Sequence, residues 1–165
     1  MPPDPRPPAL VERAVQTLTQ ALFGIACAAL ILMLVSYLAE VALRYAFNAP
    51  TRWASDVVSY ALLVTISFAL PVVTRDGGHV AITALVERLG QAPRQRMQRA
   101  LAAVSALACA GGAALLALQA QAQWAGGIET VAALAVPKWW LSAAVAVGLL
   151  GSALQFALQA RRAAG

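Results

Sequence analysis

The chain predicts an all-α integral membrane protein, and three observations carry that prediction. Four apolar runs, Ala21 to Ala39, Val57 to Thr74, Ala100 to Leu118 and Leu141 to Leu158, are each 18 or 19 residues long and hold no Asp, Glu, Lys, Arg or His. A hydrocarbon core roughly 30 Å thick needs about 20 helical residues to cross, so each run can span it. The composition agrees: 61% of residues are hydrophobic, only 12% are charged and the mean hydropathy is +0.71. Finally, the basic residues alternate between connections as the positive-inside rule requires. Strands are excluded, because unbroken apolar runs lack the alternation of a barrel wall and a lipid-exposed backbone must satisfy its own hydrogen bonds.

The proline-rich leader MPPDPRPP removes backbone donors and favours an extended tail. From Leu10 a helical face of Leu10, Val11, Ala14, Val15, Leu18 and Leu22, with Glu12, Arg13, Gln16 and Gln20 away from it, predicts an amphipathic lead-in to span one. A cleaved secretory signal is disfavoured. The first run is longer than the apolar core of such signals, and no small-x-small site follows it.

The first connection, Arg44 to Arg52, carries the turn signal Asn48-Ala49-Pro50 and makes spans one and two antiparallel neighbours. Helix two is expected to begin near Thr51, with Asp56 at the positive end of its dipole. The second connection breaks at Gly77-Gly78. It then places Val80, Ile82, Leu85, Val86 and Leu89 on one face, predicting a short interfacial helix backed by Arg94, Arg96 and Arg99. In the third connection, Val131 to Val136 is apolar but too short to span, so it is expected to dip into the interface or pack on a partner. Residues 1–20 thus form a tail and lead-in, 21–158 a membrane domain with spans near 21–43, 53–74, 99–120 and 139–158, and 159–165 a basic tail.

Orientation follows from charge. Arg6, Arg13, Arg75, Arg88, Arg94, Arg96, Arg99, Arg161 and Arg162 fall on one side, against Arg44, Arg52 and Lys138 on the other. Both termini are therefore expected in the cytoplasm. Trp53, Trp124, Trp139 and Trp140 then all sit at outer span ends, where indole favours the interface. The net charge of +5 reads as orientation and attraction to anionic membrane lipid, with no nucleic acid required. Ala144, Gly148 and Ser152, like Ala108 and Gly112, recur at four-residue spacing, which suits close helix packing or follows from an alanine-rich composition alone.

Chemistry is sparse. Cys27 and Cys109 lie inside spans as small apolar fillers. His79 is the only histidine, so the chain lacks both the paired axial ligands of a haem and the ligands of a metal centre. There is no nucleophile and base constellation and no phosphate loop, which argues against an enzyme and against a cofactor. The acids nearest the spans, Glu40 and Asp56, each have an arginine four residues away, Arg44 and Arg52, and read as charge-paired helix ends. The competing reading is a proton or cation site, as in a small proton-coupled exporter of the small multidrug resistance type. A four-helix assembly protein without transport activity is the other alternative.

Two motifs narrow the choice. Residues Arg44 to Asp56 read RYAFNAPTRWASD, and RDGGHVAI follows from Arg75 to Ile82. Their order resembles the DctQ-like small membrane subunit of tripartite ATP-independent periplasmic (TRAP) transporters. The family pattern is an Arg-Tyr-x-Phe-Asn turn, a Trp with an acid three later, then Arg-x-Gly-x-His. Arg44, Tyr45, Phe47, Asn48, Trp53, Arg75, Gly77 and His79 match it, and ETVAALAVPKW from Glu129 resembles the lead into the family's last span. Asp56 departs from the usual Glu, Thr83 from an acid, and Ala69 beside Pro71 from a glycine. The resemblance implies a bacterial inner-membrane subunit that scaffolds a large permease. In such systems a periplasmic solute-binding protein delivers an organic anion, often a carboxylate, and an ion gradient, usually sodium, acts through the large subunit.

Overall fold

A computed structural model describes residues 10–48, 51–76 and 91–162, without the side chains of 91–95 and 162. Four helices make up the fold among these residues: α1 (Leu10–Phe47), α2 (Ala54–Arg75), α3 (Gln91–Ala125) and α4 (Lys138–Arg162). Each contains a window long and apolar enough to cross a membrane. No strand occurs among the described residues, where an isolated bridge between Glu129 and Pro137 is the β feature present. The expected interfacial segment, together with Gly77 and His79, lies outside the described residues.

The lead-in and span one form one uninterrupted 38-residue helix, α1. At 1.5 Å per residue it is about 57 Å long, well beyond the hydrocarbon core. Its buried face is Val15, Thr19, Leu22 and Ala26, whereas Leu10, Val11, Ala14 and Leu18 are exposed. The face expected from sequence is therefore rotated. A polar position explains the rotation: Thr19 is drawn inward by a hydrogen bond, and the leucine beside it is left on the outside. Asn48 ends the helix with φ +50, the left-handed conformation that Asn tolerates at a helix C-terminus. Helix α2 then begins at Ala54, not near Thr51, with Trp53 at its N-cap.

Helices pack in the order α1, α2, α4, α3, with a smaller contact between α1 and α4. The result is an open layer more than a closed bundle. Within the apolar windows, 44% of α4 is buried but only 6% of α3. Glycine and proline set the α2–α4 contact. Pro71 has no N–H and leaves the Ser67 carbonyl without its usual i+4 donor. Gly148 of α4 sits directly against that carbonyl, so close that a Cβ there would collide with it. Such proximity suits a Cα–H contact to a carbonyl oxygen. One turn on, a Cβ at Gly151 would lie 2.7 Å from Pro71 Cγ, and Gly112 of α3 faces Leu149. Ser152, in the predicted small-residue series, is fully buried, but Ala108 is exposed.

At the end holding the α1 N-terminus, uncharged polar groups join three helices. Gln155 Nε2 donates to Thr19 Oγ1 at 2.7 Å, both side chains being buried, and Gln159 Nε2 donates to the Thr74 carbonyl at 2.6 Å. Thr65 reaches the Ala26 carbonyl at 3.4 Å while donating to its own Ala61 carbonyl at 2.8 Å.

Candidate functional site

Glu40, Arg44, Tyr45, Phe47, Trp53, Asp56 and the tryptophans Trp124, Trp139 and Trp140 lie at the opposite end. There, α1 finishes, α2 and α4 begin, and α3 delivers the long connection to α4. Helix α3 closes with Gly127 at φ +58. The amide of Ile128 donates to Gln123 O at 3.1 Å and that of Gly127 to Trp124 O at 3.1 Å, the paired bonds of a Schellman stop. A left-handed residue is required there, which is why glycine occupies it.

Residues 128–137 then fold into a small hairpin. Thr130 N donates to Val136 O at 3.0 Å and Lys138 N to Ile128 O at 3.0 Å. Thr130 Oγ1 both donates to Val136 O (3.1 Å) and accepts from Val136 N (3.0 Å). The hairpin is clasped to α2. The Leu134 amide donates to Asp56 Oδ2 at 2.9 Å, and Tyr60 Oη lies 2.9 Å from Thr130 Oγ1 and 3.2 Å from the Leu134 carbonyl. The apolar stretch predicted to dip or to meet a partner thus packs on its own chain, although Val131 at its tip remains fully exposed. Asp56 is correspondingly not the partner of Arg52; no ion pair joins them among the described residues. The backbone amide seventy-eight positions away takes the carboxylate instead.

Glu40 does pair with Arg44, Nη2 to Oε1 at 2.8 Å, and the glutamate side chain is only 12% exposed against 56% for the arginine. The pair borders a polar cavity of about 310 Å³ between α1 and α2, shared with Tyr37, Val41, Tyr45 and Ser55. Tyr45 and Phe47 project outward, 84% and 74% exposed. Arg75 lies at the far end of α2 from Asp56, bonded to Asp76 at 2.8 Å, and so at the opposite end of the molecule from Arg44.

Trp139 stacks 6.1 Å from Trp124 and 5.0 Å from Trp140, centroid to centroid. Trp53, Trp124 and Trp140 are exposed at this same end. Of the arginines expected behind the interfacial segment, Arg96 is exposed and Arg99 half-buried near the start of α3, whereas the Arg94 side chain is outside the described residues. Sequence reasoning missed Tyr60, Thr130, Gln123 and Ser142. The last two link α3 to α4, with Ser142 Oγ donating to Gln123 Oε1 at 2.8 Å. A signal was available: Gln123 stands near the end of a long apolar helix, where an amide needs a partner. Thr51 Oγ1 is buried without one.

The arrangement offers contact surfaces and helix locks. No group of three or more His, Cys, Asp or Glu that could hold a metal occurs among the described residues. Comparison with known proteins finds no match among curated proteins or solved structures. A family model described as "Tripartite ATP-independent periplasmic transporters, DctQ component" matches residues 33–165, more than three quarters of the chain, from the middle of α1 through all of α2, α3 and α4. With that match and four membrane-crossing helices, the chain belongs to the DctQ family and is an integral membrane component of a TRAP transporter.

Proposed function

We propose that this chain is a non-translocating scaffold in the bacterial inner membrane, bracing the large permease subunit of a TRAP system during ion-driven uptake of an organic anion, most simply a carboxylate. The periplasmic solute-binding protein and the large permease are its partners, and the coupling ion, sodium in the usual case, acts on the large subunit. Both termini face the cytoplasm, so the tryptophan-rich end faces the periplasm.

One observation carries the reading. Among the described residues the buried polar side chains are all uncharged, and several of them hold helices together, as in the Gln155–Thr19 and Gln159–Thr74 bonds. Cargo or a coupling ion needs charged or unwound groups near mid-membrane to replace its hydration shell. The charge-free runs of this chain supply none. Glu40, the acid a proton-coupled exporter would require, is already paired with Arg44 near the end of α1.

Reconstitution tests the proposal. Liposomes holding only this chain should accumulate no solute under a sodium or proton gradient, and adding the large permease with its binding protein should give uptake. Solute accumulation by the isolated chain would overturn the scaffold assignment.

A further inference from the structure

The cavity between the ends of α1 and α2 has the chemistry of a headgroup site. Glu40 and Arg44 bring one carboxylate and one guanidinium to the same wall. Their mutual bond uses Arg44 Nη2 and Glu40 Oε1. A guanidinium carries five donors and a carboxylate two acceptor oxygens, so each retains capacity for a third party. Ser55 adds a hydroxyl from the first turn of α2, whose N-cap residue, Trp53, provides no side-chain acceptor for the turn's amides. The positive helix end and Arg44 therefore favour an anionic group, while Glu40 beside them favours a cationic one. A ligand carrying both charges a few bonds apart satisfies the pair better than a simple anion, which the carboxylate would repel.

The surroundings indicate what the rest of that ligand is. From the cavity toward mid-membrane, α1 exposes Leu34 (56%) and Leu30 (47%), spaced by one turn below Val41 and Tyr37. Helix α2 exposes Leu62 and Ile66 below Ser55. On a helical net these residues share the side of the α1–α2 pair that carries the cavity, making an apolar track that leads down from it. A polar cavity at the helix ends above an exposed apolar track is the shape of a membrane lipid.

The geometry points to a binding site for a zwitterionic phospholipid with a primary ammonium, of the phosphatidylethanolamine class, in the leaflet at the tryptophan-rich end. Arg44 and the first turn of α2 take the phosphate, Glu40 takes the ammonium, and the acyl chains lie along Leu34, Leu30, Leu62 and Ile66. The tyrosines close the rim, as amphipathic rings do at headgroup depth.

Native mass spectrometry of the purified full-length chain, offered equal amounts of phosphatidylethanolamine, phosphatidylcholine and phosphatidylglycerol, tests the assignment. Phosphatidylethanolamine should be retained about tenfold over the other two, the worth of one charge-assisted hydrogen bond. Glu40→Gln should abolish that preference, and Arg44→Gln should weaken retention of all three. Equal or stronger retention of phosphatidylglycerol, or a preference untouched by Glu40→Gln, would overturn the site. Displacement of the lipid by chain-free phosphoethanolamine at equal concentration would overturn the lipid assignment in favour of a soluble zwitterion. Should either variant fail to fold, the headgroup series on the unmodified chain decides the matter alone.

Discussion

Gly148 and Pro71 act as one device. Proline frees a backbone carbonyl inside α2, and the missing side chain of glycine lets α4 reach it. The obstruction a Cβ would meet is backbone, which cannot rotate away. Gly148→Ala should therefore lower stability by about 1 to 3 kcal/mol, the usual cost of forcing volume into a packed contact. Gly111→Ala, where nothing lies within 4 Å, should be neutral or slightly stabilising. Thermal unfolding in one detergent compares the two; equal melting temperatures would show that the α2–α4 contact does not depend on Gly148. The Gln155–Thr19 bond makes a milder prediction. Gln155→Leu should cost about 0.6 to 2 kcal/mol, the range for hydrogen bonds between membrane helices. Thr19→Val in the same background should then add little, because the two side chains share one interaction. A fully additive double mutant would show that they act separately.

Among the elements, the hairpin of residues 128–137 is the least legible in the sequence. Its apolar stretch carries no periodicity, and the groups that fix it, Asp56 and Tyr60, lie seventy or more positions away. The local signals around Asp56 point to Arg52, since a four-residue spacing is the strongest pairing cue on a helix. A backbone amide held at 2.9 Å by the hairpin's own geometry wins instead, for an exposed ion pair of that kind contributes only tenths of a kcal/mol. Asp56→Asn keeps an acceptor oxygen and should keep the hairpin in place. Asp56→Ala should release it, seen as faster amide hydrogen exchange at Leu134 and Val136 with α2 unchanged. Equal exchange in the two variants would mean that Tyr60 and Thr130 suffice. The helix stops are more legible. Asn48 and Gly127 are residue types that tolerate a left-handed backbone, and both mark helix ends.

For the molecule as a whole, the open order α1, α2, α4, α3 leaves α3 held mainly by α4, with almost all of its apolar window uncovered. That geometry suits a subunit whose faces are completed by lipid and by a larger membrane protein. The proposed orientation predicts the outcome of thiol labelling. With Cys27 and Cys109 replaced by Ala, a single cysteine at Val131 should react with an impermeant maleimide in intact cells, whereas one at Ala164 should react only after permeabilisation. The reverse pattern would invert the assignment of both ends.

The number of membrane-crossing segments and their helical type were determined by the sequence alone. Hydrocarbon cannot hydrogen-bond a backbone, so a charge-free run of about 20 residues must be a helix wherever it lies in a membrane. The motifs around Arg44 and Arg75 likewise carried the family without any coordinates. Which faces meet was decided only in three dimensions. When every side of a span is apolar, periodicity no longer separates inside from outside, and in the amphipathic lead-in of α1 a polar residue, Thr19, turns the buried face away from the apolar pattern. What breaks the tie is short-range: a proline that exposes a carbonyl, a glycine that can approach it, and an amide in lipid that must find a partner. These effects depend on atoms brought together from distant parts of the chain, and no local pattern records them.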